Sequence, residues 1–306
     1  MKNLLFLAFS SLTAITSAQT SNVEVFLLAG QSNADGSNSY YQNNAQASKG
    51  GGLTAANAHY ANDYTGIKYA YAHVNPFSST PPNRYLTSNG FQNLKPATWG
   101  MMGPEISLGR NLDALHQDDV ALLKYTSPGT SLKTEWGPDD NKLYQDMVSF
   151  YSGHLATLAS QYTTVTIHTF FWHQGESDSG NTYVADYNAM FDQLKIDLNT
   201  ASLTSVMGLI SEDFLNGTPG SPQSNIANVN SAINQLALRS DIVTTGSLND
   251  IPLHDQIHFD ANGQLTHGDR MAAAYENNFF QPVPEPSTSF MLLFSSSLLV
   301  LRRKRQ

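Results

Sequence analysis

The chain contains no cysteine. Disulfides, thiolate nucleophiles and cysteine-ligated zinc are therefore excluded. Charge is also sparse. Asp, Glu, Lys and Arg make up 13% of the 306 residues, against a usual share of roughly 25%. Ser, Thr, Asn and Gln must carry the surface instead. Positive charge is scarcest in the part that folds. Five of the 16 basic residues (Lys2, Arg302, Arg303, Lys304 and Arg305) sit at the two extremes. Setting these and Glu285 aside leaves 11 basic residues against 24 acidic ones, a net −13. Such a body repels phosphate backbones, which argues against nucleic-acid binding. The terminal apolar runs both fall short of the roughly 20 residues a helical membrane span needs.

Enough is present for a packed core. Hydrophobic residues reach 41% and aromatics 10%, so wholesale disorder is excluded. Residues 1–18 read as a secretory signal. Lys2 supplies the positive start and Leu4 opens the apolar stretch. Thr16, Ser17 and Ala18 offer the small residues of a cleavage site. At the other end, Val283-Pro284-Glu285-Pro286-Ser287 precedes an apolar run over 290–301 and the basic cluster 302–305. That order resembles the PEP-CTERM sorting signal. The resemblance implies transient membrane contact and removal by an exosortase-type enzyme during export. The alternative is a plain C-terminal anchor. Either places residues 19–282 outside the cytoplasm.

These 264 residues suit a single α/β domain. Near-continuous apolar runs at 23–29, 120–125, 165–171 and 206–210, with a weaker one at 241–245, predict strands buried on both faces. Between them, 3.6-residue spacing predicts helices over 143–158 and 183–198. Pro104 is placed at the first helical position of a segment reaching Leu115, and two more helices are expected near 223–238 and 262–277. Alternating strands and helices imply a parallel, doubly wound sheet, whose ligands bind beyond the carboxyl ends of the strands. Residues 37–98, rich in Asn, Gly, Ala and Ser, read as a long insertion outside this pattern. They hold seven of the 14 tyrosines. Those rings either stack on sugars or pack the insertion onto the body.

Four polar strings follow strand ends. Gly30-Gln31-Ser32-Asn33 sets a serine where a turn or helix begins, its hydroxyl and N–H free to face a crevice. Pro128-Gly129-Thr130-Ser131 offers a backbone that approaches a ligand closely. His173-Gln174-Gly175-Glu176-Ser177-Asp178 offers an amide and carboxylates. A side-chain amide donates to an oxyanion in acyl transfer, while the bland reading makes Asp178 a helix cap. In His254-Asp255-Gln256-Ile257-His258-Phe259-Asp260, a three-residue spacing brings Asp255 to His258.

Taken in order and together with Met102-Gly103-Pro104-Glu105, these strings resemble the SGNH hydrolases, above all the sialate O-acetylesterase and acetylxylan esterase branch. The resemblance covers about 23–275. It implies a three-layer α/β/α sandwich with a short, mostly parallel, flavodoxin-like sheet. It places the nucleophile on Ser32 and the base on His258. It gives Asp255 or Glu176 as the acid partner of that histidine. It places the oxyanion donors on the Ser32 N–H, the Gly129 N–H and the Gln174 side chain. Asn33 and Asp178 are candidate substrate-binding residues. The family often has Gly-Gly-Thr where this chain has Pro128-Gly129-Thr130. The implied activity is removal of acetyl groups from an acetylated glycan, with neither metal nor organic cofactor. Two rivals stand beside it. One is a surface carbohydrate-binding protein that keeps the fold without the chemistry. The other is a metal-dependent hydrolase built on His254, Asp255, His258 and Asp260.

Overall fold

A computed structural model describes residues 21–40, 52–75, 85–97, 101–139, 142–213 and 223–281. The expected signal segment and the Pro-Glu-Pro segment lie outside the described residues. Among those described, no helix is long and apolar enough to cross a membrane.

Among the described residues, eight strands form one sheet: β1 (Asn22–Gly30), β2 (Tyr64–Val74), β3 (Tyr85–Thr87), β4 (Gln92–Leu94), β5 (Asp119–Thr126), β6 (Thr164–His173), β7 (Thr204–Met207) and β8 (Ile242–Thr244). Their order is β3-β2-β5-β1-β6-β7-β8, with β4 also on β2. The six from β2 to β8 along this path, omitting β3, are parallel, and β3 and β4 pair antiparallel with β2.

β1 shows why its sequence is apolar nearly throughout. Val23, Val25, Leu27 and Ala29 enter one core, and Phe26 and Leu28 enter the other. A strand with a covered face on each side has no position left for polar alternation. The helices around the sheet are α1 (Ser32–Asp35), α2 (Glu105–Leu115), α3 (Leu132–Glu135), α4 (Lys142–Ala159), α5 (Tyr183–Asp197), α6 (Gln223–Leu236) and α7 (Ala261–Asn278). Ile106, Leu108 and Leu112 of α2 share a core with Leu265, Met271 and Tyr275 of α7. Tyr151 of α4, Phe191 of α5 and Ile233 of α6 pack into the opposite one. The result is the expected α/β/α sandwich with a mostly parallel sheet. Pro104 sits one residue before α2, already in helical backbone geometry, and not within it.

One expectation is corrected. Residues 37–98 are not an insertion throughout, because 64–74 form β2, in register with β5 inside the parallel sheet. Ile67, Tyr69 and Tyr71 face one core, and Ala70, Ala72 and Val74 face the other. Tyrosine and lysine stand where aliphatic residues mark the other strands, so the apolar run is broken. Among the described tyrosines of this segment, three serve packing. Tyr60 and Tyr64 place their rings 4.7 and 4.9 Å from the Arg110 guanidinium of α2, and Tyr69 is buried.

The chain runs from β1 to β2 and β5 on one side. It then crosses by α4 to β6, β7 and β8 on the other. β1 therefore lies at the point where strand order reverses, the usual place for a ligand crevice in an open parallel sheet.

Candidate active site

Gly30 pairs with Thr126 of β5 and with His173 of β6, so three strands end level. The peptides that leave them carry three of the four polar strings. A Cβ on Gly30 would lie 2.0 Å from the His173 carbonyl oxygen, and its φ of 141° disfavours any side chain. That close approach welds the serine turn to the sheet. The Gln31 N–H donates to the His173 carbonyl at 3.1 Å, and the Ser127 N–H donates to the Gly30 carbonyl at 2.9 Å. Ser32 opens α1 and is 5% exposed.

The fourth string forms a tight loop, closed by the His254 N–H donating to the His258 carbonyl at 2.7 Å. Asp255 Oδ1 accepts the N–H groups of Ile257 (2.7 Å) and His258 (2.6 Å), and Oδ2 faces His258 Nδ1 at 2.8 Å. Burial raises the Asp255 pKa, but these hydrogen bonds outweigh it and hold the carboxyl below its usual range. An ionised Asp255 sets the imidazole proton on Nδ1 and leaves Nε2 as the basic lone pair. Asn38, in the left-handed backbone region at φ 63°, adds a contact from Nδ2 to Asp255 Oδ2 at 3.4 Å.

Asn33 joins the serine turn to this loop. Its Oδ1 accepts the Phe259 N–H at 3.1 Å and its Nδ2 donates to the Ile257 carbonyl at 3.1 Å. The two residues flanking His258 are thus bonded to the residue after Ser32. Ser39 adds a bond from Oγ to the Phe259 carbonyl at 2.6 Å. The first and last parts of the body are sewn together around the serine and the imidazole.

Several expected roles are changed by these contacts. Asn33 is buried with its amide engaged inside the protein, so it holds the site together and offers little to a substrate. Glu176 does not reach His258; its Oε1 accepts from Asn33 Nδ2 at 2.8 Å and meets His173 Nε2 at 3.2 Å. Gln174 is wholly buried, and its Nε2 donates to the Thr130 carbonyl (2.9 Å), to Gln31 Oε1 (3.2 Å) and to Asp178 Oδ2. Three acceptors surround its two hydrogens, so this amide braces the wall of the site and is not left for an oxyanion. Asp178 accepts from Ser131 Oγ at 2.9 Å and from the Leu132 N–H at 3.1 Å, which caps α3 and not the helix that follows it. Asp260 caps α7 by accepting the Gly263 N–H at 2.6 Å, so it is drawn away from a common metal site with His254 and His258. Among the described residues no group of three or more histidines and carboxylates is arranged to hold a metal.

Gly129 is exposed, with a φ of 71° that suits glycine. Among the described residues, its N–H and that of Ser32 donate to no backbone acceptor.

Behind α1 lies a buried charge network that the sequence did not announce. Asp35 accepts from Thr126 Oγ1 and Ser37 Oγ, both at 2.7 Å, and pairs with His73 Nδ1 of β2 at 2.8 Å. Burial raises the Asp35 pKa, yet His73 and Lys124 prevail and hold it far below the carboxylate range. Burial lowers His73, and the Asp35 carboxylate more than reverses this, so its pKa is raised. Lys124 of β5 donates to the Asp35 carbonyl at 2.8 Å and pairs with Glu105 of α2 at 2.6 Å. Asp35 stands three residues past Ser32, so this network seats the serine turn. A buried Lys within an apolar strand was its one sequence signal.

A parallel sheet that gathers a serine turn and an Asp–His pair beyond its carboxyl edge has the architecture of the SGNH hydrolases. The family model described as carbohydrate esterase, sialic acid-specific acetylesterase, matches residues 22–277, and the chain belongs to that family. It is accordingly a carboxylic ester hydrolase of the carbohydrate acetylesterase type. A protein of Arabidopsis thaliana shares the fold, with a TM-score of 0.60 and 20% identity over 84% of this chain and 99% of that one. A carbohydrate acetylesterase from Xanthomonas citri gives 0.57 and 17% over 83% of this chain and 56% of that one, so the chain spans little more than half of it. No curated protein matches the chain.

Proposed function

We propose that the protein is an exported serine esterase that removes acetyl groups from an acetylated glycan through Ser32, His258 and Asp255. The observation that carries this reading is the pairing of Asp255 with His258 at 2.8 Å in a loop bonded through Asn33 to the turn of Ser32. In the first step His258 Nε2 takes the Ser32 proton while Ser32 Oγ attacks the acetyl carbonyl. The N–H groups of Ser32 and Gly129 stabilise the resulting oxyanion. Losing one such donor costs about 3–4 kcal/mol, or roughly 10²–10³ in rate. The bond to the sugar oxygen then breaks, and His258 returns the proton to that oxygen. Water attacks the acetyl-serine with His258 again as base, which releases acetate and restores Ser32.

A cleft of about 360 Å³ adjoins the Gln174–Asp178 wall, lined by Ser131, Asp178, Ser179, Thr182 and Asn225 among others. Hydroxyl, amide and carboxylate groups of this kind suit the hydroxyls of a sugar. Export is supported by the leader and the Pro-Glu-Pro segment of the sequence. The test is acetate release from acetylated xylan, O-acetyl sialic acid and an aryl acetate, with organophosphonate labelling located by mass spectrometry. Label on Ser32 and no turnover by a folded Ser32→Ala variant are expected. A wild-type rate in that variant sinks the nucleophile assignment. Absence of label with retained glycan binding favours a binding protein, and loss of turnover to a chelator favours metal chemistry.

A further inference from the structure

Glu176 presents a physical problem that the proposed mechanism leaves unsolved. Its side chain is 2% exposed and has no Lys or Arg partner among the described residues. Burying a carboxylate without a strong cation is costly. Its contacts are the Asn33 amide, the His173 ring and its own backbone N–H, and Oε2 has no side-chain partner among the described residues.

We propose that Glu176 is a positioning residue that holds the catalytic histidine in place through Asn33, which rests on the reading of Ser32 and His258 as the reacting pair. An asparagine amide can point in two ways. As observed, Nδ2 faces Glu176 Oε1 at 2.8 Å and the Ile257 carbonyl at 3.1 Å, while Oδ1 takes the Phe259 N–H at 3.1 Å. Reversing the amide would set its oxygen against the carboxylate and the Ile257 carbonyl, and its NH₂ against the Phe259 N–H. All three contacts would become repulsive. The carboxylate thereby selects one amide orientation, and that orientation fixes the backbone on both sides of His258. The carboxylate also meets the ring of His173, whose carbonyl anchors the Gln31 N–H just before Ser32. One buried charge therefore references both reacting groups to the end of β6. It acts without touching either, and without pairing with the imidazole that Asp255 already holds.

The experiment uses the full chain with an aryl acetate substrate and an organophosphonate probe. Glu176→Ala is expected to lower kcat about 100-fold, the scale of a 1 Å misplacement, with KM changed less than about threefold. The rate of Ser32 labelling should fall in parallel. Glu176→Gln keeps an oxygen that accepts both bonds and should stay within about tenfold of wild type. Asn33→Asp sets two carboxylates together and should lose about 100-fold, and adding Glu176→Gln to it should recover about tenfold, because the new amide donates to Asp. The double variant decides the matter if Glu176→Ala does not fold. A folded double variant without recovery, or a folded Glu176→Ala with wild-type kcat and labelling, overturns the inference alone. Failure of the wild type to label overturns the serine reading and this inference with it.

Discussion

Asp255 and His258 are joined at two points: Oδ2 meets the ring Nδ1 at 2.8 Å, and Oδ1 accepts the His258 N–H at 2.6 Å. One carboxylate thus sets both the tautomer of the imidazole and the backbone that carries it. Asp255→Asn should lower kcat by about 10²–10⁴ at neutral pH, because an amide no longer selects the Nδ1–H tautomer. KM for a small ester should change little. Steady-state kinetics check this, and an unaltered kcat would show that His258 draws nothing from Asp255.

Gly30→Ala should destabilise the fold by about 3 kcal/mol or more. The new Cβ would lie 2.0 Å from the His173 carbonyl oxygen and 2.9 Å from Ala34 Cβ, on a backbone at φ 141°. Relief would require parting β1 from β6 where the serine turn is anchored. The urea midpoint measures the loss, and activity should fall with it.

The Lys124–Glu105 pair is nearly sealed, with side chains 6% and 4% exposed. Lys124→Met should cost about 3–5 kcal/mol, since it strands a buried carboxylate. Adding Glu105→Leu should recover most of that loss, because a hydrophobic pair strands no charge. A double variant as unstable as the single one would show that the Lys124 contact to the Asp35 carbonyl is the larger part. Denaturant curves on the three variants separate these results.

His267 is wholly buried beside His173, the ring centroids 4.4 Å apart, and neither of its ring nitrogens has a partner among the described residues. Burial holds its pKa well below the ordinary 6.5. Below about pH 6.5 the unfolded chain therefore takes up a proton that the folded chain refuses. Stability then falls as pH falls, by up to about 1.4 kcal/mol per pH unit for this group. His267→Leu should flatten that acid limb and leave stability near pH 8 little changed. Unfolding curves collected from about pH 5 to 8 give the slope directly.

Much of this molecule was legible as sequence. Strands β1 and β5 are apolar on both faces and announced themselves, and β6 did so through Phe170 and Phe171, which enter opposite cores. β8 emerged from the weaker run, and β7 begins two residues before its own. The strand β2 was hidden because Tyr69, Tyr71 and Lys68 stand where aliphatic residues would mark a buried strand. Their apolar surface lies in ring faces and methylene stems that a reading by residue class discounts. The spacing of Asp255 and His258 is local, so their pairing was readable before any fold existed. The bond from Asn33 to Glu176 was not. Glu176 sits in a string with His173 and Gln174, and which groups lie opposite depends on how β6 aligns with β1.

The sequence by itself determined the layers, the strand ends that carry polar strings, and the Asp–His pair. These follow from periodicity and from contacts within three or four residues. Only the tertiary structure decided that Asn33 grips both neighbours of His258, that Gln174 faces inward, and that Asp35 rests on His73 and Lys124. Each of those contacts joins segments more than 35 residues apart. Their geometry is set by sheet register and helix packing, which no local pattern encodes.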